Sequence, residues 1–144
     1  MPTNKVEILI ERPVEEVSAF TVEIANDLRW VGPVVEAEQT SEGPPGVGTT
    51  ARVVVSHLGW RFEANLEVTE YEPNRAFAVK STSGLLPSEA NWRFEPVAGG
   101  TKFTYAVTAR AGLFGVFGLY RRRMAADVAS LKRLLESGSA DGIE

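Results

Sequence analysis

The sequence contains no cysteine and only one histidine, His57. The absence of cysteine excludes disulfides, zinc–thiolate sites and thiol nucleophiles. A lone histidine without an acidic partner at ligand spacing makes a poor metal site, and no Ser-His-Asp order can be assigned. We therefore expect neither a metal nor a bound cofactor.

Long apolar runs are also missing. No stretch approaches the ~20 apolar residues that a helix needs to cross a membrane. The N-terminus lacks the basic segment and apolar run of a signal peptide. The net charge is −4, from 15 basic and 19 acidic residues, so the chain as a whole is not built to neutralise a phosphate backbone. These features predict a cytoplasmic protein without nucleic-acid binding or integral membrane association.

The length of the chain, 144 residues, fits one domain. We assign residues 1–137 to this domain. The remaining residues, 138–144, are mostly small or polar and glycine-rich, and we expect them to form a flexible tail. The sequence does not decide between a monomer and a homodimer.

Most of the chain alternates between apolar and polar residues, which is the pattern of half-buried strands. Trp60 to Tyr71 shows this pattern most clearly, and Gly99-Gly100 predicts a hairpin turn. A different spacing, typical of a long amphipathic helix, runs from Val116 to Leu135. The predicted strands span 6–12, 34–40, 49–58, 60–71, 75–83, 89–96 and 101–110, and short helices span 14–21 and 24–30.

Each predicted strand has one apolar face, so the sheet needs a cover on one side only. The C-terminal helix offers a matching apolar stripe. We therefore predict an α+β fold, in which a curved antiparallel sheet of about seven strands wraps the long C-terminal helix. Two short helices follow the first strand in this arrangement.

Several short motifs follow one another along the chain: Ile10–Val17, Asp27–Trp30 with Pro33-Val34, Gly48-Thr49, Val68–Pro73, Trp92–Pro96 with Gly100-Thr101, and Leu131–Glu136. In this order they resemble the motifs of a known family, the polyketide cyclase/dehydrase-like branch of the START and pollen-allergen (SRPBCC) superfamily. The resemblance covers roughly residues 4–136 and implies the helix-grip fold. Members of this family bind lipids, hormones or polyketides, and only some are catalysts.

The resemblance implies an internal cavity that binds a small apolar ligand, such as a lipid, a polyketide or an aromatic metabolite. Such sites are lined mainly by apolar and aromatic side chains. Plain core packing is the alternative explanation of the same residues. The predicted ligand-binding residues are Trp30, Val53, Val55, His57, Trp60, Phe62, Phe77, Trp92, Phe94, Phe103, Tyr105, Phe117 and Tyr120.

Two further hypotheses remain open. A cyclase or dehydratase would fold its substrate by pocket shape and would use His57 or Tyr105 to move a proton. Alternatively, the apolar segment Leu113–Leu119, followed by Arg121–Arg123, would dock onto a protein or a membrane surface. We favour a solvated helix face as the explanation of the arginines.

Overall fold

In a computed structural model of the protein, three α-helices cover one face of a single seven-stranded sheet. The structure describes residues 3–57, 59–83, 88–109 and 117–138, with backbone only at 57, 83, 109 and 117–120. The strands are β1 (Thr3–Ile10), β2 (Val34–Gln39), β3 (Thr50–His57), β4 (Trp60–Glu72), β5 (Ala76–Ser83), β6 (Ser88–Val97) and β7 (Gly100–Ala109). The helices are α1 (Val14–Val22), α2 (Asp27–Trp30) and α3 (Phe117–Glu136), and a 3-10 turn spans Ile24–Asn26.

The strands lie in the order β1-β7-β6-β5-β4-β3-β2, and all neighbours are antiparallel. The last strand therefore pairs with the first, and β1 and β2 form the two edges. This curled sheet with a C-terminal helix on its concave face is the predicted helix-grip fold, which is confirmed. In the described part of the chain, no helix is long and apolar enough to span a bilayer.

The first strand begins earlier and ends earlier than the predicted 6–12. Thr3 pairs with Thr108 of β7, and the two hydroxyl oxygens lie 2.8 Å apart. At the other end, the Arg12 N–H donates to the Ile10 carbonyl at 2.8 Å. The chain bends there, before Pro13, because this bond closes a turn.

The second short helix was predicted as one element over 24–30 and is divided in the structure. Asn26 donates its backbone N–H to the Glu23 carbonyl at 2.9 Å, which is the spacing of a 3-10 turn. Its side-chain amide donates to the Phe20 carbonyl at 2.9 Å. Bonds of this kind from asparagine compete with regular helix, so α2 is left with one turn.

Irregular pairing in β4 contributes to the curvature of the sheet. The register with β5 shifts between Asn65 and Leu66 and again between Val68 and Glu70. An extra residue on one strand bends that strand and increases its twist. The concave face produced in this way faces α3 and the short helices.

Two side chains of α3 bind the backbone of β1 along its outer edge, and a third binds the residue that follows β1. Arg121 donates to the Lys5 carbonyl at 3.3 Å, and Lys132 donates to the Leu9 carbonyl at 2.8 Å. Glu136 accepts the Glu11 N–H at 2.7 Å. A hydrogen bond from Lys132 and the bond from Glu11 hold the pKa of Glu136 below its usual range. The helix is therefore fixed alongside β1 and runs in the same direction.

A buried carboxylate joins α3 to the segment after α2. Asp127 is only 2% exposed. Its Oδ1 accepts the Gly32 N–H at 3.0 Å and the Arg123 guanidinium at 2.8 and 3.0 Å. Because α2 begins only a few residues earlier, this contact positions α2 against α3.

The convex face of the sheet carries charged pairs between strands. Arg52 binds Glu63 and also Glu36, the latter at 3.0 Å. Arg93 binds Glu70 at 3.1 Å. All five side chains remain partly exposed, so each pair contributes little to stability.

We predict that Asp127→Ala lowers the free energy of unfolding by about 1–3 kcal/mol, because it leaves the Gly32 N–H and Arg123 without their acceptor. Asp127→Asn keeps an acceptor oxygen, so its free energy of unfolding should fall by less. Urea unfolding of the two variants measures the difference. Equal midpoints for Asp127→Ala and the unchanged protein would show that the contact does not stabilise the fold.

Candidate functional site

The concave face is organised by a line of aromatic side chains that crosses the sheet, called here the aromatic row. Its members lie opposite one another in the strand register, and each ring contacts the next. The ring centroids lie 5.4 to 5.7 Å apart, and the last pair is stacked with 9° between the planes. The aromatic row consists, in order, of Tyr71, Phe77, Trp92 and Tyr105.

On one side of the aromatic row the interior is filled, and we call this part the packed half. Phe94 and Phe103 pair in the next register position, with ring centroids 5.6 Å apart. Phe103 and Leu131 are 0% exposed. The packed half belongs to a hydrophobic cluster that joins the sheet to α1 and α3. Its other members include Ile10, Val17 and Leu135.

On the other side lies a second line of paired residues, called here the upper row. It runs across five strands through Val68, Val79, Ala90, Val107 and Asn4. Ala90 is the smallest side chain in this line. It is partly exposed although it lies at the centre of the sheet, between the buried Val79 and Val107.

Residues of the concave face that lie beyond the upper row are also partly exposed. Leu66, Ser81 and Ala64 also project from the concave face and are half-buried. Small residues in this part of the face contrast with the phenylalanines of the packed half. The concave face is therefore packed in one half and accessible in the other.

Trp30 of α2 lies over the β7 side of the aromatic row. Its ring meets Phe103 and Tyr105 edge-on, at centroid distances of 6.2 and 5.7 Å. The Nε1 atoms of Trp30 and Trp92 are both buried, and neither has a hydrogen-bond acceptor within the described protein. A buried N–H without a partner costs ~1–3 kcal/mol. Two such donors belong to one aromatic cluster, because both indoles contact Tyr105.

A buried acid lies next to this cluster on the same helix. Asp27 and Trp30 are three residues apart in α2, so they share a face. Both are buried, whereas Leu28 between them is exposed. Burial raises the pKa of Asp27 to about 8, because the ionised form has lost its hydration. At neutral pH Asp27 is therefore mainly protonated and can donate a proton or a hydrogen bond.

The structure brings together most of the predicted ligand-binding residues. Trp30, Val53, Phe77, Trp92, Phe94, Phe103 and Tyr105 belong to one buried cluster. Val55 and Phe62 pair with each other between β3 and β4 and are half-buried. The side chains of His57, Phe117 and Tyr120 lie outside the described residues, as does the segment 113–116.

Trp60 is placed differently from the other aromatic residues. It is 70% exposed. It pairs with His57 at the start of β4, and among the described residues β5 pairs with β4 from Asn65 onward. Within these residues the β3–β4 hairpin extends past the end of β5, and Trp60 lies on this extension. A role for Trp60 in binding stays a prediction.

Sequence reasoning missed Asn4 and Asp27. For Asn4 the sequence did contain a signal. Val6, Ile8 and Ile10 alternate along one face of the strand, and position 4 falls on the same inward face. For Asp27 the signal was weaker. A single helical turn is too short to show a periodicity, and only the spacing to Trp30 indicates its buried face.

A surface groove between β1 and the start of α3 is a separate feature. Its lining includes Lys5, Glu7, Arg121 and Arg122, which are all exposed. The groove is open to solvent, and these four charged side chains share its lining with Val6, Ile8, Ala125 and Val128. Sites that bind small molecules enclose more of the ligand surface. We therefore place the candidate site on the concave face.

Comparison with known proteins supplies a family and a set of similar folds. A family model described as polyketide cyclase/dehydrase and lipid transport matches residues 1–136. Among solved structures, TTHA0849 from Thermus thermophilus has a TM-score of 0.81 and 20% identity, over 96% of this chain and 99% of that one. The search of curated proteins gave no match.

Two other solved structures carry descriptive names. The di-domain ARO/CYC BexL from the BE-7585A biosynthetic pathway has a TM-score of 0.75 and 20% identity, over 94% of this chain and 47% of that one. Ara h 8.0201 has a TM-score of 0.72 and 16% identity, over 94% and 98%. At these identities the likeness shows the fold.

We predict that Asp27 makes the protein less stable as the pH rises from about 4 to about 8. The unfolded chain releases this proton near the ordinary value of 3.8, whereas the folded protein keeps it up to about 8. Asp27→Asn should therefore be more stable than the unchanged protein at pH 8, by at least the ~1.4 kcal/mol of one pKa unit.

Urea unfolding near pH 5 and pH 8 measures this effect. The increase in the free energy of unfolding that Asp27→Asn produces should be larger at pH 8 than at pH 5. Glu15→Gln, a matched change at an exposed acid of α1, should leave the pH profile unaltered. A gain that does not depend on pH would contradict the raised pKa.

Proposed function

The chain belongs to the polyketide cyclase/dehydrase and lipid transport family, and we propose that it binds a small apolar ligand between its sheet and α3. This membership also confirms the resemblance identified from the sequence motifs. The observation that carries the proposal is the accessible half of the concave face. Ala90 remains partly exposed there, directly beside the buried Trp92 of the aromatic row.

The chemistry of this surface favours a ligand with a flat, largely apolar body. Tyr71, Phe77, Trp92 and Tyr105 present ring faces and edges that pack against planar or apolar groups. The Nε1 atoms of Trp30 and Trp92, which have no acceptor among the described residues, favour a ligand that also carries acceptor oxygens. An aromatic or polyketide-type metabolite meets both requirements better than a plain alkyl chain does.

We predict that Ala90→Phe abolishes ligand binding and leaves the fold intact. The larger side chain would occupy the accessible space beside Trp92. Ala78→Phe is the matched control, because Ala78 lies on the convex face of the neighbouring strand, opposite Asn91. Native mass spectrometry of protein purified from its own host, followed by identification of bound small molecules, measures occupancy.

The expected result is a defined adduct in the unchanged protein and in Ala78→Phe but not in Ala90→Phe. Thermal unfolding checks that both variants are folded. An adduct that persists at full occupancy in folded Ala90→Phe would move the ligand away from the concave face. If all three proteins show only the mass of the chain without an adduct, the result would count against ligand binding.

A second candidate function is catalysis of cyclisation or dehydration, and the observation that favours it is Asp27. A dehydration needs a group that protonates the departing hydroxyl. Asp27 is buried beside Trp30 and keeps its proton at neutral pH. The two catalytic candidates from the sequence, His57 and Tyr105, remain part of this proposal.

Dehydration of a simple β-hydroxy ketone, the aldol adduct of benzaldehyde and acetone, tests this activity. The absorbance of the conjugated product follows the reaction. We predict that Asp27→Asn lowers the rate by ~100-fold or more, as expected for loss of a general acid. An unchanged rate in Asp27→Asn would remove Asp27 from the mechanism, and the same comparison applies to His57→Ala and Tyr105→Phe.

A further inference from the structure

The most unusual polar side chain of the interior is that of Asn4. It is 1% exposed, and its Nδ2 and Oδ1 atoms are both buried. Neither atom has a hydrogen-bond partner among the residues that the structure describes. An asparagine amide can donate twice and accept twice, so the described residues use none of the hydrogen-bonding capacity of this side chain.

The position of Asn4 in the sheet does not require an amide. Its backbone belongs to the regular ladder between β1 and β7, opposite Val107. The same face of β1 continues with the apolar Val6 and Ile10, which are buried. A valine at position 4 would fit this pattern and would avoid the cost of a buried amide without partners.

Asn4 is connected to the accessible half through the upper row. Val107 is its neighbour there, and Ala90 is the next residue along. Two strand spacings separate Asn4 from Ala90, which corresponds to ~10 Å. A molecule about the size of two fused rings spans that distance. Tyr105 lies diagonally across from Asn4, within reach of a long side chain.

We propose that Asn4 is a specificity-determining residue that binds a polar end group of the ligand, while the apolar body of the ligand lies over Ala90 against the aromatic row. This inference rests on the proposed function, because it places the end group at the β1 side of the same pocket. No catalytic role is involved.

The chemistry of an amide limits what that end group can be. The best partner offers an acceptor and a donor side by side, so that both Oδ1 and Nδ2 of Asn4 are satisfied. A carboxamide, a protonated carboxylic acid or an enolised ketone meets this condition. A hydrocarbon end group would leave the amide unsatisfied and would bind more weakly.

Two probes of nearly equal shape test the proposal: a naphthalene carboxamide and the corresponding isopropenylnaphthalene. Their dissociation constants are measured by quenching of tryptophan fluorescence. The unchanged protein should bind the carboxamide about tenfold more tightly, which corresponds to ~1.4 kcal/mol. In Asn4→Leu this preference should disappear through weaker binding of the carboxamide, and the affinity for the hydrocarbon should stay the same or increase.

The control is Asn91→Leu, the same change on the convex face of β6, which should leave both affinities unaltered. Asn4→Leu should also unfold at the same or a higher urea concentration, because it removes an unsatisfied amide. A preference for the carboxamide that survives in Asn4→Leu overturns the proposal. A loss of stability together with parallel loss of both affinities also overturns it and assigns Asn4 a structural role.

The same experiment separates this proposal from the proposed function. If the two probes bind with equal affinity, both to the unchanged protein and to Asn4→Leu, the apolar pocket is supported and the proposed role of Asn4 is wrong. If neither probe binds to the unchanged protein, the apolar pocket itself is contradicted, and the role of Asn4 fails with it.

Discussion

The fold depends on the contact between the apolar stripe of α3 and the concave face of the sheet. Buried residues of this stripe, such as Met124, Leu131 and Leu135, join the same cluster as the phenylalanines of β6 and β7. At ~25 cal/mol per Å² of apolar surface, this burial is the main favourable term that orders the helix. Leu131 and Leu135 of α3 fill the packed half of the concave face, and the half on the other side of the aromatic row remains accessible.

The accessible half holds polar groups that a purely structural core would not keep. Asp27, the Asn4 amide and two indole N–H groups are all buried there or beside it. Each of them costs stability in the folded protein. Binding sites commonly carry such costs. The Asn4 amide and the two indole N–H groups, which no described residue satisfies, are available to a ligand.

The fold could be predicted from the sequence almost completely, whereas the site could be predicted only in part. Alternation along Trp60 to Tyr71 and the helical spacing from Val116 to Leu135 are long signals, and both were interpreted correctly. The alternation of apolar and polar residues along each strand identified Phe77, Trp92 and Tyr105 as residues on the inward face. It could not show that they form one row, since that depends on the register between strands.

Other features were beyond sequence reasoning for physical reasons. The exposure of Trp60 depends on where β5 ends, which no local pattern in β4 reveals. The raised pKa of Asp27 arises from burial by elements that are distant in sequence. The division of the second helix depends on one side-chain hydrogen bond, from Asn26 to Phe20. The free energy of a single bond is too small for helix propensities to predict its effect.

The bonds between α3 and β1 have a consequence for how the protein behaves in solution. An edge strand with free carbonyl and N–H groups is a template on which another chain can add a strand and begin to aggregate. The Lys5 and Leu9 carbonyls of β1, and the Glu11 N–H just after it, are occupied by side chains of α3. The other edge strand, β2, is only six residues long and carries the charged Glu36 and Glu38. Both edges thus oppose sheet extension, and the helix that closes one side of the pocket also protects the molecule from edge-to-edge association.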